Sequence, residues 1–173
     1  MKLEKTFFKD VLLFKLSKFF DKRGTFYENY NKIGLNKYFN NSFIIDAISI
    51  NKKNVLRGLH YQTKYQQAKL VYVIQGEILD IIVDLRKKSK NFYNYKIIKL
   101  SERNSKLIYI PKGFAHGFLT ISKNAIVAYK LSNHYKKKYE KTLFWNDKKL
   151  NLKLPTKYLS KIIISEKDSA PKI

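Results

Sequence analysis

Apolar residues along this chain are grouped into runs of strand length, and polar clusters separate one run from the next. The runs are rich in valine, isoleucine, leucine and aromatic residues, and clusters of Asn, Gly, Lys or Ser bound them. Short runs of this composition predict β-strands. The predicted strands are residues 11–15, 43–49, 55–61, 69–75, 77–86, 95–100, 107–110, 116–120 and 126–131.

Helical signals are few, and only residues 29–39 and the segment after Ser160 are predicted to form short helices. Many short strands with few helices are typical of a β-sandwich, a jelly roll or a small barrel. A length of 173 residues suits one domain that spans residues 1–173. Gly76 separates two apolar runs and predicts a tight turn between them. We therefore expect a single all-β domain with a few peripheral helices.

One apolar run carries two ionisable side chains, because residues 55–62 read Val-Leu-Arg-Gly-Leu-His-Tyr-Gln. Buried charge is costly, so such groups usually have a partner or a function. Arg57 and His60 are three positions apart, and a regular strand would place them on opposite faces. A bulge at Gly58 would bring both to one face, and bulges recur beside active sites. The run therefore predicts a functional site built on a bulged strand.

The chain is strongly basic, with 36 Lys and Arg against 13 Asp and Glu and a net charge of +23 at pH 7. Most of these residues are lysines spread along the whole sequence. The clustered arginines or strand platforms of exposed aromatics that nucleic-acid-binding proteins use are not evident. We therefore expect neither nucleic acid nor a membrane as partner, and the positive field favours a small anionic substrate such as a nucleotide diphosphate. A non-catalytic basic protein that binds RNA or an acidic surface stays an alternative.

The sequence contains no cysteine, and its N-terminal residues have neither a signal-peptide pattern nor an apolar segment of spanning length. Disulfide-rich composition is typical of secreted small proteins, and signal peptides mark export. We therefore expect a cytoplasmic protein.

Three further residues have side chains suited to proton or charge chemistry. Lys69 begins a predicted strand, a Pro-Lys-Gly turn precedes His116, and Tyr129 lies near the end of an apolar run. In isolation each is more typical of a structural role: a strand-end lysine, a hydrogen-bonded core histidine and a packed tyrosine. Together with His60, they make an acid–base site the working hypothesis.

A series of short motifs extends through nearly the whole chain. In order, they are Asp21-Lys-Arg23-Gly-Thr-Phe26-Tyr-Glu28, Arg57-Gly-Leu-His60-Tyr-Gln, Lys69-Leu-Val, Gly76-Glu, Val83-Asp-Leu-Arg86, Pro111-Lys-Gly-Phe-Ala-His116-Gly-Phe, Tyr129-Lys, Asn133-His-Tyr135 and Ser165-Glu-Lys-Asp168. No single motif is specific, but the ordered set resembles the dTDP-4-dehydrorhamnose 3,5-epimerase family. The resemblance implies a cupin-type jelly roll, a homodimer that exchanges N-terminal strands, and no metal or organic cofactor.

The implied reaction inverts carbons next to the ketone of a nucleotide-activated 4-keto-6-deoxy sugar, of the dTDP-4-dehydro-6-deoxyglucose type. The C3 and C5 protons are acidic because the carbanion delocalises onto the C4 oxygen, so the reaction needs a base, an enolate stabiliser and a proton donor on the opposite face. His60 suits the base, since an imidazole titrates near neutral pH. Lys69 suits the stabiliser. The resemblance adds Tyr129 as the acid and Asp168, otherwise a mere tail residue, as the carboxylate that orients His60.

The resemblance also implies a set of substrate-binding residues. Arg57 is expected near the diphosphate, because the planar guanidinium fork suits phosphate oxygens. His116 is expected beside the sugar, and Tyr135 in the lining of the pocket. Three more positions match residues that reach the nucleotide from the partner subunit: Arg23, Phe26 and Glu28.

One stretch departs from the family pattern. The family carries a Gln-x-Asn-x-Ser run before the histidine strand, and here the stretch reads Ile45-Asp-Ala47-Ile-Ser49. Because the replaced polar groups belong to the substrate side of the pocket, the identities of the nucleotide and the sugar stay open. Inversion at C3 alone or at C5 alone stays open as well.

Two other cupin activities are alternatives. Two alternating histidines on one strand are typical of the sugar 3,4-ketoisomerases. Here the corresponding residues are His60 and Gln62, which weighs against that activity. A metal-dependent cupin would need His60 and His116 to converge on an ion with a carboxylate. The usual His-x-His pair is absent, and Lys69 in the same cavity would repel a cation.

Overall fold

The chain forms antiparallel sheets in a computed structural model, which describes residues 1–169. The strands are β1 (Lys2–Phe7), β2 (Val11–Lys15), β3 (Phe19–Asp21), β4 (Gly24–Phe26), β5 (Ile45–Lys52), β6 (Leu56–Gln62), β7 (Lys69–Gln75), β8 (Glu77–Asp84), β9 (Tyr95–Ser101), β10 (Lys106–Ile110), β11 (Phe114–Thr120), β12 (Asn124–Leu131) and β13 (Glu140–Thr142). The helices are α1 (Lys32–Asn36) and α2 (Thr156–Leu159), with 3₁₀ turns at Lys137–Tyr139 and Glu166–Asp168.

Two large sheets and one hairpin make up the architecture. The six-stranded sheet has the order β1-β2-β10-β7-β12-β5, and the five-stranded sheet has the order β13-β6-β11-β8-β9. Strands β3 and β4 form a separate two-stranded hairpin. Two facing antiparallel sheets with strands that cross from one to the other form a jelly roll, which confirms the predicted fold class.

The main core fills the space between the two sheets. It contains Val71 and Val73 from the six-stranded sheet and Ile78, Ile82 and Phe118 from the five-stranded sheet, all buried. Side chains alternate across a strand, so the opposite face of each sheet needs its own cover. A second apolar cluster with α1 covers the six-stranded sheet, and a third with the C-terminal segment covers the five-stranded sheet. Strands buried on both faces read as continuous apolar runs.

The C-terminal segment, residues 143–169, packs against the five-stranded sheet and runs back to β6. Leu150 and Leu154 pack in the cluster on its outer face. Ile163 then forms a parallel bridge with Val55, and the Leu56 N–H donates to the Ile163 carbonyl over 2.9 Å. This return places the turn at Glu166–Asp168 beside β6.

Strand β6 contains the predicted bulge. His116 of β11 lies opposite His60, whereas Phe118 lies opposite Arg57, so β6 has one extra residue between the two pairs. Gly58 adopts a φ of +108°, a conformation that suits glycine because it lacks a Cβ. The bulge brings Arg57 and His60 to the same cavity, as expected. Gly76, with a φ of +82°, forms the predicted turn between β7 and β8.

The short helical piece predicted after Ser160 is a 3₁₀ turn at Glu166–Asp168. Helix α2 ends at Leu159, and residues 160–161 form a turn. Ile163 then bridges Val55, just before the start of β6, so the chain is held there ahead of the 3₁₀ turn. Helix α1 lies inside the predicted helical range 29–39. Within residues 1–169, no helix is long and apolar enough to cross a membrane.

Candidate active site

A cavity of about 330 Å³ lies between the two sheets, at the polar end of the main core. Strands of both sheets line it, because inward-facing positions change there from apolar to ionisable side chains. Six of the predicted site residues line this cavity: Arg57, His60, Lys69, His116, Tyr129 and Tyr135. The bulge and the strand pairing therefore bring together residues that are widely separated in the sequence.

His60 forms a hydrogen-bonded pair with Asp168. The imidazole Nε2 lies 2.6 Å from Asp168 Oδ1, and the Gly58 N–H donates to Asp168 Oδ2 over 3.2 Å. Burial raises the pKa of the Asp168 carboxyl, but the hydrogen bond and charge of His60, together with hydrogen bonds from Gly58 and Ser165, hold the pKa below its usual value. With Nε2–H directed to this carboxylate, Nδ1 is the ring nitrogen that can accept a proton.

Lys69 supplies a cation whose charge depends on pH near neutrality. Its Nζ donates to the backbone carbonyl of His60 over 3.4 Å, across the space between the two sheets. Burial lowers the pKa of Lys69 to about 8, while the negative charges of Asp80 and Glu140 act in the opposite direction. The side chain is therefore an ammonium at pH 7 and loses its charge under mildly alkaline conditions.

A second histidine–aspartate pair lies deeper in the cavity. His116 Nε2 is 2.7 Å from Asp80 Oδ1, and both side chains are buried. Burial lowers the pKa of His116, although the charge of Asp80 opposes this effect. A neutral imidazole that donates from Nε2 keeps Nδ1 as a hydrogen-bond acceptor. Asp80 was missing from the predicted site, yet it interrupts an apolar strand, as Arg57 and His60 do.

Tyr129 lies on the opposite sheet from His60. It belongs to β12 in the six-stranded sheet, where it is half-buried and lies opposite Val71 of β7 and Ala47 of β5. His60 belongs to β6 in the five-stranded sheet. The phenol and the imidazole therefore line the cavity from different walls. Ala47, one of the two departures from the family pattern, lies in the wall next to Tyr129.

Tyr135 lines the mouth of the cavity together with Glu140. The Tyr135 hydroxyl donates to Glu140 Oε2 over 2.7 Å, and Lys167 also forms an ion pair with this carboxylate. Gln62 fixes the loop, since its side chain hydrogen-bonds the backbone of His134 and Lys136 on either side of Tyr135. Glu140 was not predicted, because it follows a lysine-rich stretch that is typical of a solvated turn.

Arg23, Phe26 and Glu28 do not reach this cavity within one chain. Arg23 is exposed at the tip of the β3–β4 hairpin, where it pairs with Asp21 over 2.6 Å. Phe26 is 68% exposed, and Glu28 accepts a hydrogen bond from Asn31 over 3.1 Å. Their predicted contact with the nucleotide therefore depends on a partner subunit.

The described part of the chain contains no cluster of side chains that could bind a metal ion. Among residues 1–169, no three His, Cys, Asp or Glu side chains converge as metal ligands would. His60 and His116 are each paired with a separate aspartate, and the ammonium of Lys69 lines the same cavity.

Comparison with known proteins identifies the family. The family model for dTDP-4-dehydrorhamnose 3,5-epimerase matches residues 5–173. A dTDP-4-dehydrorhamnose 3,5-epimerase of Salmonella typhimurium is 40% identical over 169 residues, which cover 96% of this chain and 91% of the relative.

Solved structures agree with this match. The Bacillus anthracis dTDP-4-dehydrorhamnose 3,5-epimerase with TDP and PPi bound is 39% identical, with a TM-score of 0.91 over 96% of this chain and 95% of the other. The Legionella pneumophila epimerase in complex with dTDP-4-keto-L-rhamnose is 34% identical, with a TM-score of 0.92 over 96% and 89%. The predicted cupin-type jelly roll is thereby confirmed. The chain belongs to the dTDP-4-dehydrorhamnose 3,5-epimerase family.

Proposed function

We propose that this enzyme inverts C3 and C5 of a dTDP-4-keto-6-deoxy sugar by proton transfer through an enolate. The observation that carries the proposal is the arrangement of the cavity walls. The pair His60–Asp168 belongs to the five-stranded side, whereas Lys69 and Tyr129 belong to the facing six-stranded sheet. A sugar ring held between the walls has a base on one face and an acid on the other.

In the first step, His60 removes the proton from the carbon next to the ketone. The C–H electron pair forms the enolate double bond, and negative charge moves onto the C4 oxygen. Asp168 stabilises the imidazolium that forms, because its carboxylate accepts from Nε2 over 2.6 Å. The Lys69 ammonium stabilises the enolate oxygen electrostatically in a partly desolvated site.

In the second step, Tyr129 donates its hydroxyl proton to the same carbon from the opposite face. The enolate electron pair forms the new C–H bond, and the configuration at that carbon is inverted. The imidazolium and the phenolate then return to their starting states by proton exchange with solvent. Positioned acid–base groups of this kind contribute roughly 10²- to 10⁴-fold each.

The remaining cavity residues suit the rest of a nucleotide sugar. Arg57 offers a guanidinium to the diphosphate, and the neutral His116 offers Nδ1 as an acceptor to a sugar hydroxyl. Tyr135 closes one side of the mouth. TDP and dTDP-4-keto-L-rhamnose bound to related epimerases support a thymidine nucleotide. Ile45 and Ala47 replace the Gln and Asn of the family pattern. This enzyme therefore makes fewer polar contacts with the nucleotide or its sugar at these two positions.

We propose a homodimer in which N-terminal segments are exchanged and each chain completes the site of the other. Phe19 and Phe20 of the β3–β4 hairpin are 63% and 76% exposed, which is costly for large aromatic side chains in an isolated chain. Strand β5 lies at the edge of its sheet and exposes Ile48 and Ile50. Pairing of the hairpin near this edge would cover both apolar surfaces, and it would move Arg23 towards the partner's cavity.

The reaction is tested by incubation with dTDP-4-keto-6-deoxyglucose in heavy water, followed by NMR. We expect deuterium at C3 and C5, with inverted configuration at both carbons, and the same result after treatment with a chelator. The UDP and GDP counterparts serve as nucleotide controls. Exchange at one carbon only would establish a single-position epimerase, and a lack of exchange with all three substrates would refute the proposed function.

A further inference from the structure

Asn51 is a buried polar residue that the mechanism above does not use. It lies near the end of β5 and is only 3% exposed. Its side-chain Oδ1 accepts a hydrogen bond from Arg57 Nε over 2.7 Å. This is a direct contact between a buried amide and a residue that lines the cavity.

The other contacts of Asn51 fix the orientation of its amide. Nδ2 donates to the Ser49 carbonyl and to Ser49 Oγ over 3.1 Å each, and to the Ala125 carbonyl over 3.3 Å. A flipped amide would turn its oxygen towards two carbonyl oxygens and its NH₂ group towards the Arg57 donor. Carbonyl oxygens only accept and guanidinium nitrogens only donate, so the flipped arrangement loses these hydrogen bonds.

This orientation leaves the outer part of the Arg57 guanidinium available. Asn51 occupies the Nε–H, and the N–H groups of the two terminal nitrogens form the fork that binds phosphate oxygens in a bidentate manner. Among residues 1–169, no carboxylate forms an ion pair with Arg57. Arg57 nevertheless lines the cavity. A guanidinium held at Nε and without an anionic partner is prepared to bind a dianionic ligand.

We infer that Asn51 is a positioning residue that holds the guanidinium of Arg57 in place for the diphosphate of the nucleotide sugar. This inference rests on the proposed function. Arginine has several rotatable bonds, and ordering such a side chain on binding reduces affinity. Because Asn51 orders it in advance, the diphosphate binds without this cost. Asn51 touches neither the reacting carbons nor the base, so it contributes to binding rather than to proton transfer.

The test compares Asn51→Leu and Asn51→Ser with the unchanged enzyme, with dTDP binding measured by calorimetry and turnover by NMR. Leucine has a similar volume but no acceptor, and the smaller serine provides a second variant if leucine prevents folding. We expect dTDP affinity to fall roughly 10-fold, the size expected for a lost hydrogen bond to a charged group. KM should rise by a similar factor while kcat stays within about 2-fold, because uniform binding is lost.

Two controls separate positioning from a general loss of structure. Asn104→Leu removes an amide that ties residues 99–106 together, and it should lower thermal stability without changing dTDP affinity. Asn51→Leu should have no further effect on dTDP affinity when Arg57 is already alanine. The inference is wrong if Asn51→Leu and Asn51→Ser bind dTDP as tightly as the unchanged enzyme. It is also wrong if Asn51→Leu lowers dTDP affinity by the same factor in an Arg57→Ala background as in the unchanged enzyme. If the unchanged enzyme does not bind dTDP, the proposed function fails instead.

Discussion

Burial and neighbouring charges shift the pKa values of Lys69, His116 and Asp168 at the cavity. Burial lowers the pKa of His116 and favours its neutral form, whereas the contact with His60 keeps Asp168 ionised. Lys69 differs from these two residues, because its pKa of about 8 lies close to working pH and its charge therefore changes with pH in that range. The same partial burial that strengthens its interaction with an enolate therefore limits the pH range in which it is charged.

We predict that activity falls on the alkaline side with an apparent pKa of about 8. The ammonium form of Lys69 is the active form, so the stabilising charge is present below this pH and is lost as the pH rises through it. The measurement is the pH profile of kcat/KM, which reports groups of the free enzyme.

Lys69→Arg is the matched variant for this profile. A guanidinium stays protonated throughout the accessible range, so the alkaline limb near pH 8 should disappear even if turnover is lower. An unchanged limb in Lys69→Arg would show that another group titrates there, and the assigned role of Lys69 would then be wrong.

Individual site residues differed in how well the sequence predicted them. His60 could be predicted because it is an ionisable residue in an apolar strand. Asp80 interrupts β8 in the same way, but no motif indicated a function for it. Asp168 had no local signal, since only the return of the C-terminal segment brings it to His60. Their catalytic and binding roles stay predictions until variants are measured.

At the scale of elements, the bulge in β6 is the feature that builds the site. Without the extra residue, Arg57 and His60 would face opposite sides of the strand. The bulge also leaves little room beside Gly58. A Cβ at this position would lie 2.7 Å from both the Gly117 Cα and the His116 carbonyl oxygen.

We predict that Gly58→Ala destabilises the protein by at least about 1–3 kcal/mol, because a positive φ is strained for alanine and the clash is with backbone atoms. Activity of the folded fraction should fall as well, since Arg57 and His60 flank the bulge. Chemical denaturation and NMR turnover measure the two effects.

Gly34→Ala in α1 is the matched control. A Cβ there would meet the Asn31 side chain at ordinary distances of 3.6–4.0 Å, and alanine favours a helix. The free energy of unfolding should stay the same or rise by up to about 1 kcal/mol. Equal losses in Gly34→Ala and Gly58→Ala would contradict the special role given to the bulge.

Elements buried on both faces were predictable from the sequence, and exposed elements were not. Strand β2 was predicted with its observed bounds, because Val11 and Leu13 face the core between the sheets while Leu12 and Phe14 face the outer cluster. Four strands were missed: β1, β3, β4 and β13. None of their residues is buried, and they pair with neighbours that sequence periodicity cannot identify.

At the scale of the whole molecule, the predicted site residues lie in two separate places on one chain. Six predicted residues line the cavity, and three others lie on or next to the exposed β3–β4 hairpin. The strand-exchanged dimer that would join them stays a proposal. The single-domain boundary, the cytoplasmic location and the cofactor-free reaction also stay predictions. The net charge of +23 is consistent with a dianionic substrate at the cavity.

We predict that two inactive variants restore each other's activity when mixed. Arg23→Ala and His60→Ala are each expected to be weakly active or inactive as homodimers. After subunit exchange, a mixed dimer has one cavity with both defects and one with neither. Statistical mixing should therefore recover about a quarter of wild-type activity, as expected for a two-fold assembly in which partners complete each other's site. If the mixture is no more active than its components, each cavity belongs to one chain alone.

We propose that His60 removes the proton and that Tyr129 donates its own hydroxyl proton to the same carbon from the opposite wall. The most direct measurement compares His60→Ala and Tyr129→Phe in heavy water with the same 4-keto sugar, with deuterium uptake and configuration read by NMR. We predict that His60→Ala, still folded, takes up no deuterium, whereas Tyr129→Phe exchanges but inverts poorly. Full exchange in folded His60→Ala would show that another group removes the proton.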